Sequence, residues 1–171
     1  MSTGAFTTAS AEREVNVSTA GDGSAFLTLT GDGDYVSDES GDTLTLDLGG
    51  PDGNDDATGF NQEAVTTLTG VVTITNNAAE DTSTTVGVST DPAGSAEAGG
   101  SASLQVPSGD PEAVVTFYVS DEEEESSVGE GETRSIDTGE SAYLDVEIDT
   151  RDDTLGDTDA SDDDSLTIVA E

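Results

Sequence analysis

Two short stretches carry residue types that do chemistry. Ser135-Ile136-Asp137-Thr138-Gly139 contains the Asp-Thr-Gly of an aspartic-protease loop. In such a site two aspartates share one proton, because neighbouring like charges cannot both ionise, so a single motif requires a symmetric dimer. Asp and Gly are also ordinary turn formers. A turn between the TRSI run and the SAYLDVEI run is therefore the preferred reading. The second stretch puts Asp52, Asn54, Asp56 and Glu63 at the first, third, fifth and twelfth places of a calcium loop, where alternate oxygen ligands point inward at a hard cation. Against calcium, Ala57 stands where such a loop turns on Gly, and both flanks read as strands. Asp157, Asp159, Ser161 and Asp163 form a weaker second candidate. In a chain this rich in Asp such spacings arise by chance, and solvated loops are preferred at both places. No cofactor is required; calcium is the one that the sequence offers.

Absent residue types exclude more than the present ones assign. There is no His, Cys or Lys. Ser-His-Asp and Cys-His catalysis, His- or thiolate-bound zinc, disulfides, Schiff bases and a phosphate-loop lysine are all ruled out. The chain reads as a non-enzyme. Asn16-Val17-Ser18 is the single glycosylation sequon, so Asn16 is a candidate glycan acceptor on a surface protein. The run Asp121-Glu122-Glu123-Glu124-Glu125 reads as a solvating loop.

Thirty-nine acidic residues face three basic ones, Arg13, Arg134 and Arg151, for a net charge of −36. Nothing here neutralises a phosphate backbone or an anionic lipid surface, which excludes nucleic acid and membrane as partners. Self-repulsion at this density opposes a compact state in dilute buffer, whereas at ~1 M salt the Debye length shrinks to about 3 Å. The composition fits a hypersaline solvent. Leu, Ile, Val and Phe together make 33 of 171 residues, just under the share of roughly 20% below which a highly charged chain is expected to stay disordered. Pattern argues otherwise.

Apolar residues recur at spacing two in short runs bounded by Gly, Asp, Asn and Pro, the signature of half-buried strands. Val15 and Val17 form one face of the first run. Leu27 and Leu29, then Leu44, Leu46 and Leu48, form the next. The run from Val65 through Leu68 to Val72 and Ile74 changes phase near Gly70, which predicts a bulge there. Val86 and Val88, Leu104 and Val106, Val115, Phe117 and Val119 follow. Ala142, Leu144, Val146 and Ile148 precede a closing set of Leu166, Ile168 and Ala170. About nine short strands without intervening helices predict an all-β, two-sheet antiparallel sandwich. One domain is expected over residues 21–171, behind a separate N-terminal segment, residues 1–20. No window is apolar enough to span a bilayer.

Three stretches taken together carry a family likeness: GAFTTASAEREVNV, the pair VVTITNN and TSTTVGV, and TGESAYLDVEIDT with the closing LTIVA. They resemble secreted haloarchaeal relatives of the camelysin/TasA family of surface and biofilm-matrix proteins. The resemblance implies a jelly-roll-like sandwich and export to the cell surface. Gly4-Ala5-Phe6 is similar to the junction after a SipW-processed leader, so a hydrophobic leader upstream is expected. The likeness also implies self-assembly into a filament or pilus by N-terminal donor-strand exchange. Here the donor would span about Phe6 to Thr19, with Phe6, Val15 and Val17 as polymerisation residues. Some relatives are described as metallopeptidases, but no His-based zinc motif exists here to carry that activity. Pairing of the first strand within its own chain, in a monomeric secreted binding module, is the competing expectation.

Overall fold

Strands form where the period-two pattern predicts them. A computed structural model of the chain describes residues 14–20, 26–31, 35–37, 44–47, 63–79, 82–106, 113–151, 161 and 165–171. In chain order the strands are β1 (Glu14–Ala20), β2 (Leu27–Gly31), β3 (Val36–Ser37), β4 (Leu44–Asp47), β5 (Val65–Asn76) and β6 (Thr84–Ser89). There follow β7 (Ser101–Val106), β8 (Ala113–Ser120), β9 (Arg134–Ile136), β10 (Ser141–Asp149) and β11 (Ser165–Ala170). They make two sheets, ordered β3-β4-β1-β11-β6-β9 and β2-β5-β10-β8-β7. Among the described residues no helix is long and apolar enough to cross a membrane.

The inward faces of the two sheets build one core. Val17, Leu46, Val86, Val88, Leu166 and Ile168 from the six-stranded sheet meet Ile74, Leu104, Val115, Phe117, Leu144 and Ile148 from the five-stranded one, and all are essentially inaccessible to solvent. Alternation places these side chains on one face of each strand and leaves Thr, Ser and acidic residues on the other. That supply of buried aliphatic surface is what a bare residue count underestimates.

Three features depart from the simplest expectation. Among the described residues eleven strands are formed: beside the expected runs, Arg134–Ile136 of TRSI forms a short edge strand on β6, and Val36–Ser37 forms one on β4 in a stretch read as an acidic connection. Val65 lies on the outer face and is 43% exposed, since Thr66 takes the inward place opposite Ile148. The sandwich is also not wholly antiparallel: β1 runs parallel to β11, from Asn16 opposite Ser165 to Ala20 opposite Val169. The two strands lie at opposite ends of the described chain, so no tight hairpin dictates their relative direction.

The predicted irregularity at Gly70 is present and larger than a single inserted residue. Leu68 pairs with Val146 and Val72 with Leu144, so Thr69, Gly70 and Val71 stand against Asp145 alone. Gly70 has φ +61°, a left-handed conformation that glycine adopts without a steric penalty. A side chain there would also press on the loop above it, since an added Cβ would lie 3.0 Å from the Glu123 carbonyl oxygen.

Candidate functional site

The first strand occupies the interior of the six-stranded sheet. On one side Glu14 to Val17 pair antiparallel with Asp47 to Leu44 of β4; on the other, Asn16 to Ala20 pair with β11. Val17 is fully buried in the common core. Val15 stands opposite Leu46, and Asn16 opposite both Thr45 and Ser165. β1 is thus seated in its own chain, in a slot whose two walls are supplied by strands distant in sequence. Without it, β4 and β11 would each present a row of unpaired backbone groups. Phe6, the remaining candidate polymerisation residue, lies outside the described residues.

A second organised region lies on the outer face of the five-stranded sheet, where the loop of residues 121–133 folds back over β5 and β10. Asp145 points outward from β10, yet it has no solvent exposure because this loop covers it. Its Oδ1 accepts the Gly70 N–H at 2.9 Å and its Oδ2 accepts the Ser127 N–H at 2.8 Å. One carboxylate therefore joins the β5 bulge, the β10 strand and the loop. Burial pushes its pKa above the ordinary aspartate range; the hydrogen bonds from Ser127 and Gly70 oppose that rise without cancelling it. Ser127 Oγ donates to Ser120 Oγ at 2.9 Å, and Ser120 Oγ donates to the Glu122 carbonyl at 2.8 Å. Across from Asp145 on β8 stands Tyr118, whose phenol is also raised, by burial first and by the neighbouring Glu147 second.

Arg134 holds the far end of the same loop. Its guanidinium lies 3.0 Å from Glu130, 3.6 Å from Glu132 and 3.8 Å from Asp121. The five residues Asp121 to Glu125 are themselves exposed, as a solvating loop requires, but the loop is tethered at Asp145 and Arg134. Arg151 grips Asp149 through two nitrogens, with Nε at 2.9 Å from Oδ1 and Nη2 at 2.6 Å from Oδ2. Arg13 lies outside the described residues.

The Asp-Thr-Gly motif forms the turn between β9 and β10. Asp137 is exposed, the Glu140 N–H donates to its carbonyl at 2.9 Å, and Gly139 has φ +85°. Glu140 in turn accepts the Asp137 N–H at 3.1 Å. This arrangement uses Asp137 as a turn former. Of the first calcium candidate, Asp52, Asn54 and Asp56 lie outside the described residues; Glu63 is exposed at the start of the β5 region with φ +54°. Of the second, Asp157, Asp159 and Asp163 lie outside them, and Ser161 bridges to β7 through its backbone, with Gln105 N–H donating to its carbonyl at 2.8 Å. Among the described residues no group of three acidic side chains is placed to hold a metal ion.

Sequence reasoning missed Asp145. Its position in AYLDVEI is a polar place in the alternation, indistinguishable from any solvated aspartate. The available signal lay in another strand, at Gly70, where the phase change calls for an acceptor opposite the bulge. Comparison with known proteins identified no matching family, no similar characterised protein and no similar solved structure.

Proposed function

We propose that this chain is an exported structural subunit of an extracellular filament, pilus or biofilm matrix, assembling in concentrated salt by exchange of its N-terminal strand between copies. It acts at the cell surface, carries no catalytic centre, requires no cofactor and has other copies of itself as its main partner, with Asn16 as an acceptor for a glycan. β1 is seated in its own chain, the arrangement of the competing reading; what supports exchange is that this seat lies inside the sheet, between β4 and β11, where a donated strand would be walled on both sides. Every contact that β1 makes there is available equally to β1 of a neighbouring copy, because exchange of an identical element preserves the interface. The link to β2, Gly21-Asp22-Gly23-Ser24-Ala25, is rich in Gly and small residues, a composition with little preference for one backbone course. Ladder hydrogen bonds and the burial of Val17 hold a donated strand as they hold the chain's own, and salt screens the repulsion between copies of charge −36. The resemblance to the camelysin/TasA family points the same way.

A second reading, a monomeric secreted module that attaches to the cell surface, draws on the same strand: β1 in its own chain closes the sandwich without a partner. Electron microscopy separates the two. At ~2–3 M salt, where screening is nearly complete, the intact protein forms fibres and a version lacking residues 1–20 does not. An intact protein that stays monodisperse at every concentration under these conditions refutes the filament and leaves the module.

A further inference from the structure

Hydroxyl groups on the outer face of the five-stranded sheet fall into two sets. Most are consumed within the protein. Thr75 pairs with Ser141 at 2.8 Å, Thr28 accepts from Asn77 at 2.6 Å, and Ser103 pairs with Thr116 at 2.8 Å. Like that of Thr67, the hydroxyls of Thr30 on β2 and of Thr69 and Thr73 on β5 meet no other described side chain or backbone group. These three converge on one cleft of about 500 Å³, with Gly31 and Gly70 in its wall and Glu123 and Glu124 of the tethered loop at its rim. Thr30 stands directly opposite Thr73 in register, and Tyr143 flanks Thr73 from the other side on the same face.

We propose that this cleft binds a neutral polyhydroxylated ligand, a mono- or disaccharide unit of a glycan. The donor and acceptor inventory selects it. Threonine hydroxyls give and take hydrogen bonds and ionised carboxylates only accept, so the ligand must present many hydroxyl donors. Among the described residues no cation lines the cleft, and the surrounding charge repels anions, which disfavours phosphorylated or acidic sugars. The walls are strands, which fixes the threonines, and the loop that carries Glu123 and Glu124 is tied to the sheet at Asp145 and to Arg134. So open and polar a site is expected to bind weakly, at the Kd of about 1 mM that marks the low end of the affinity scale. The inference holds whether β1 pairs within its chain or between copies, since β1 lies in the other sheet.

Titration of the intact protein with maltose, cellobiose, lactose and chitobiose separately, followed by amide chemical shifts at constant high salt, tests it. At least one of the four should saturate and shift the amides of Thr69 to Thr73. The Thr69→Val and Thr73→Val variants suit these strand positions, because valine is as β-branched as threonine. Each should weaken binding about five- to tenfold, the effect of one lost hydrogen bond. Thr67→Val, on the same strand and face but outside the cleft, should leave binding unchanged. Absence of saturable shifts with all four sugars, equal binding by the Thr69 and Thr73 variants, or the same shifts produced by calcium chloride alone at matched ionic strength would each overturn the proposal.

Discussion

Replacing Asp145 with alanine removes the carboxylate that joins three elements, and the cost follows from its contacts. Both backbone donors, the Gly70 and Ser127 N–H groups, lose their acceptor. Leaving a buried donor unsatisfied costs about 1–3 kcal/mol. Two such losses are partly offset by removing a buried charge whose pKa burial has raised. The net expectation is a destabilisation of about 2–4 kcal/mol, large against a domain stability of about 5–15 kcal/mol. Asp145→Asn keeps an oxygen for one of the two donors and should lose about 1–2 kcal/mol. The pH dependence gives a second, independent readout. With its pKa raised in the folded state, Asp145 binds a proton more tightly folded than unfolded. Its contribution to stability therefore grows as pH falls through the folded pKa and levels off below the ordinary aspartate range. Wild type and variant carry the same neighbouring groups, Glu123 on the loop, Tyr118 on β8 and Glu147 on β10. The difference between the two proteins isolates Asp145: going from neutral to mildly acidic pH, the wild type gains on Asp145→Asn. Urea unfolding at fixed high salt, followed by circular dichroism, measures both. An alanine variant within about 0.5 kcal/mol of wild type, the range of inert surface changes, or parallel pH profiles for wild type and Asp145→Asn, would refute the assigned role.

Other expectations follow from the same geometry. Val17→Ala empties a fully buried place between the sheets and should cost about 2–3 kcal/mol in the same unfolding assay. Arg134→Gln breaks ion pairs to carboxylates that are 62–79% exposed, so stability should change by less than about 1 kcal/mol. Hydrogen exchange of amides 121–133 should nevertheless quicken, because the loop loses one of its two tethers. Withdrawal of salt to tens of millimolar, where the Debye length exceeds about 10 Å, should abolish the strand signal in circular dichroism. A spectrum unchanged over that range would contradict the part given to screening.

The core was legible because burial and period-two alternation are the same physical statement. Leu144, Val146 and Ile148 on β10 and Val115, Phe117 and Val119 on β8 could be assigned inward from the sequence, and they are buried. Gly70 was legible as a break in phase. Val36–Ser37 was not, because a two-residue edge strand has no period to read and sits in a stretch dominated by Gly and Asp. The parallel pairing of β1 with β11 was equally hidden, since register between remote strands is decided by which edges remain open. The buried Asp145 and the threonine cleft depend on the loop of residues 121–133 lying over the sheet. No local pattern in DEEEESSVGEGE distinguishes a loop that folds back from one that projects.

Strand exchange can be read directly by covalent capture, because the chain has no native cysteine to interfere. Asn16 and Thr45 are direct partners in the β1–β4 ladder, and opposed antiparallel residues have Cα separations of about 4.5–5.5 Å, within disulfide reach. One population carries Asn16→Cys and another Thr45→Cys; the two are mixed and oxidised in brine. Exchange of β1 predicts disulfide-linked pairs containing one chain of each kind. If the mixture remains monomeric while a single chain carrying both substitutions closes its own disulfide, β1 never leaves its molecule and the filament proposal fails.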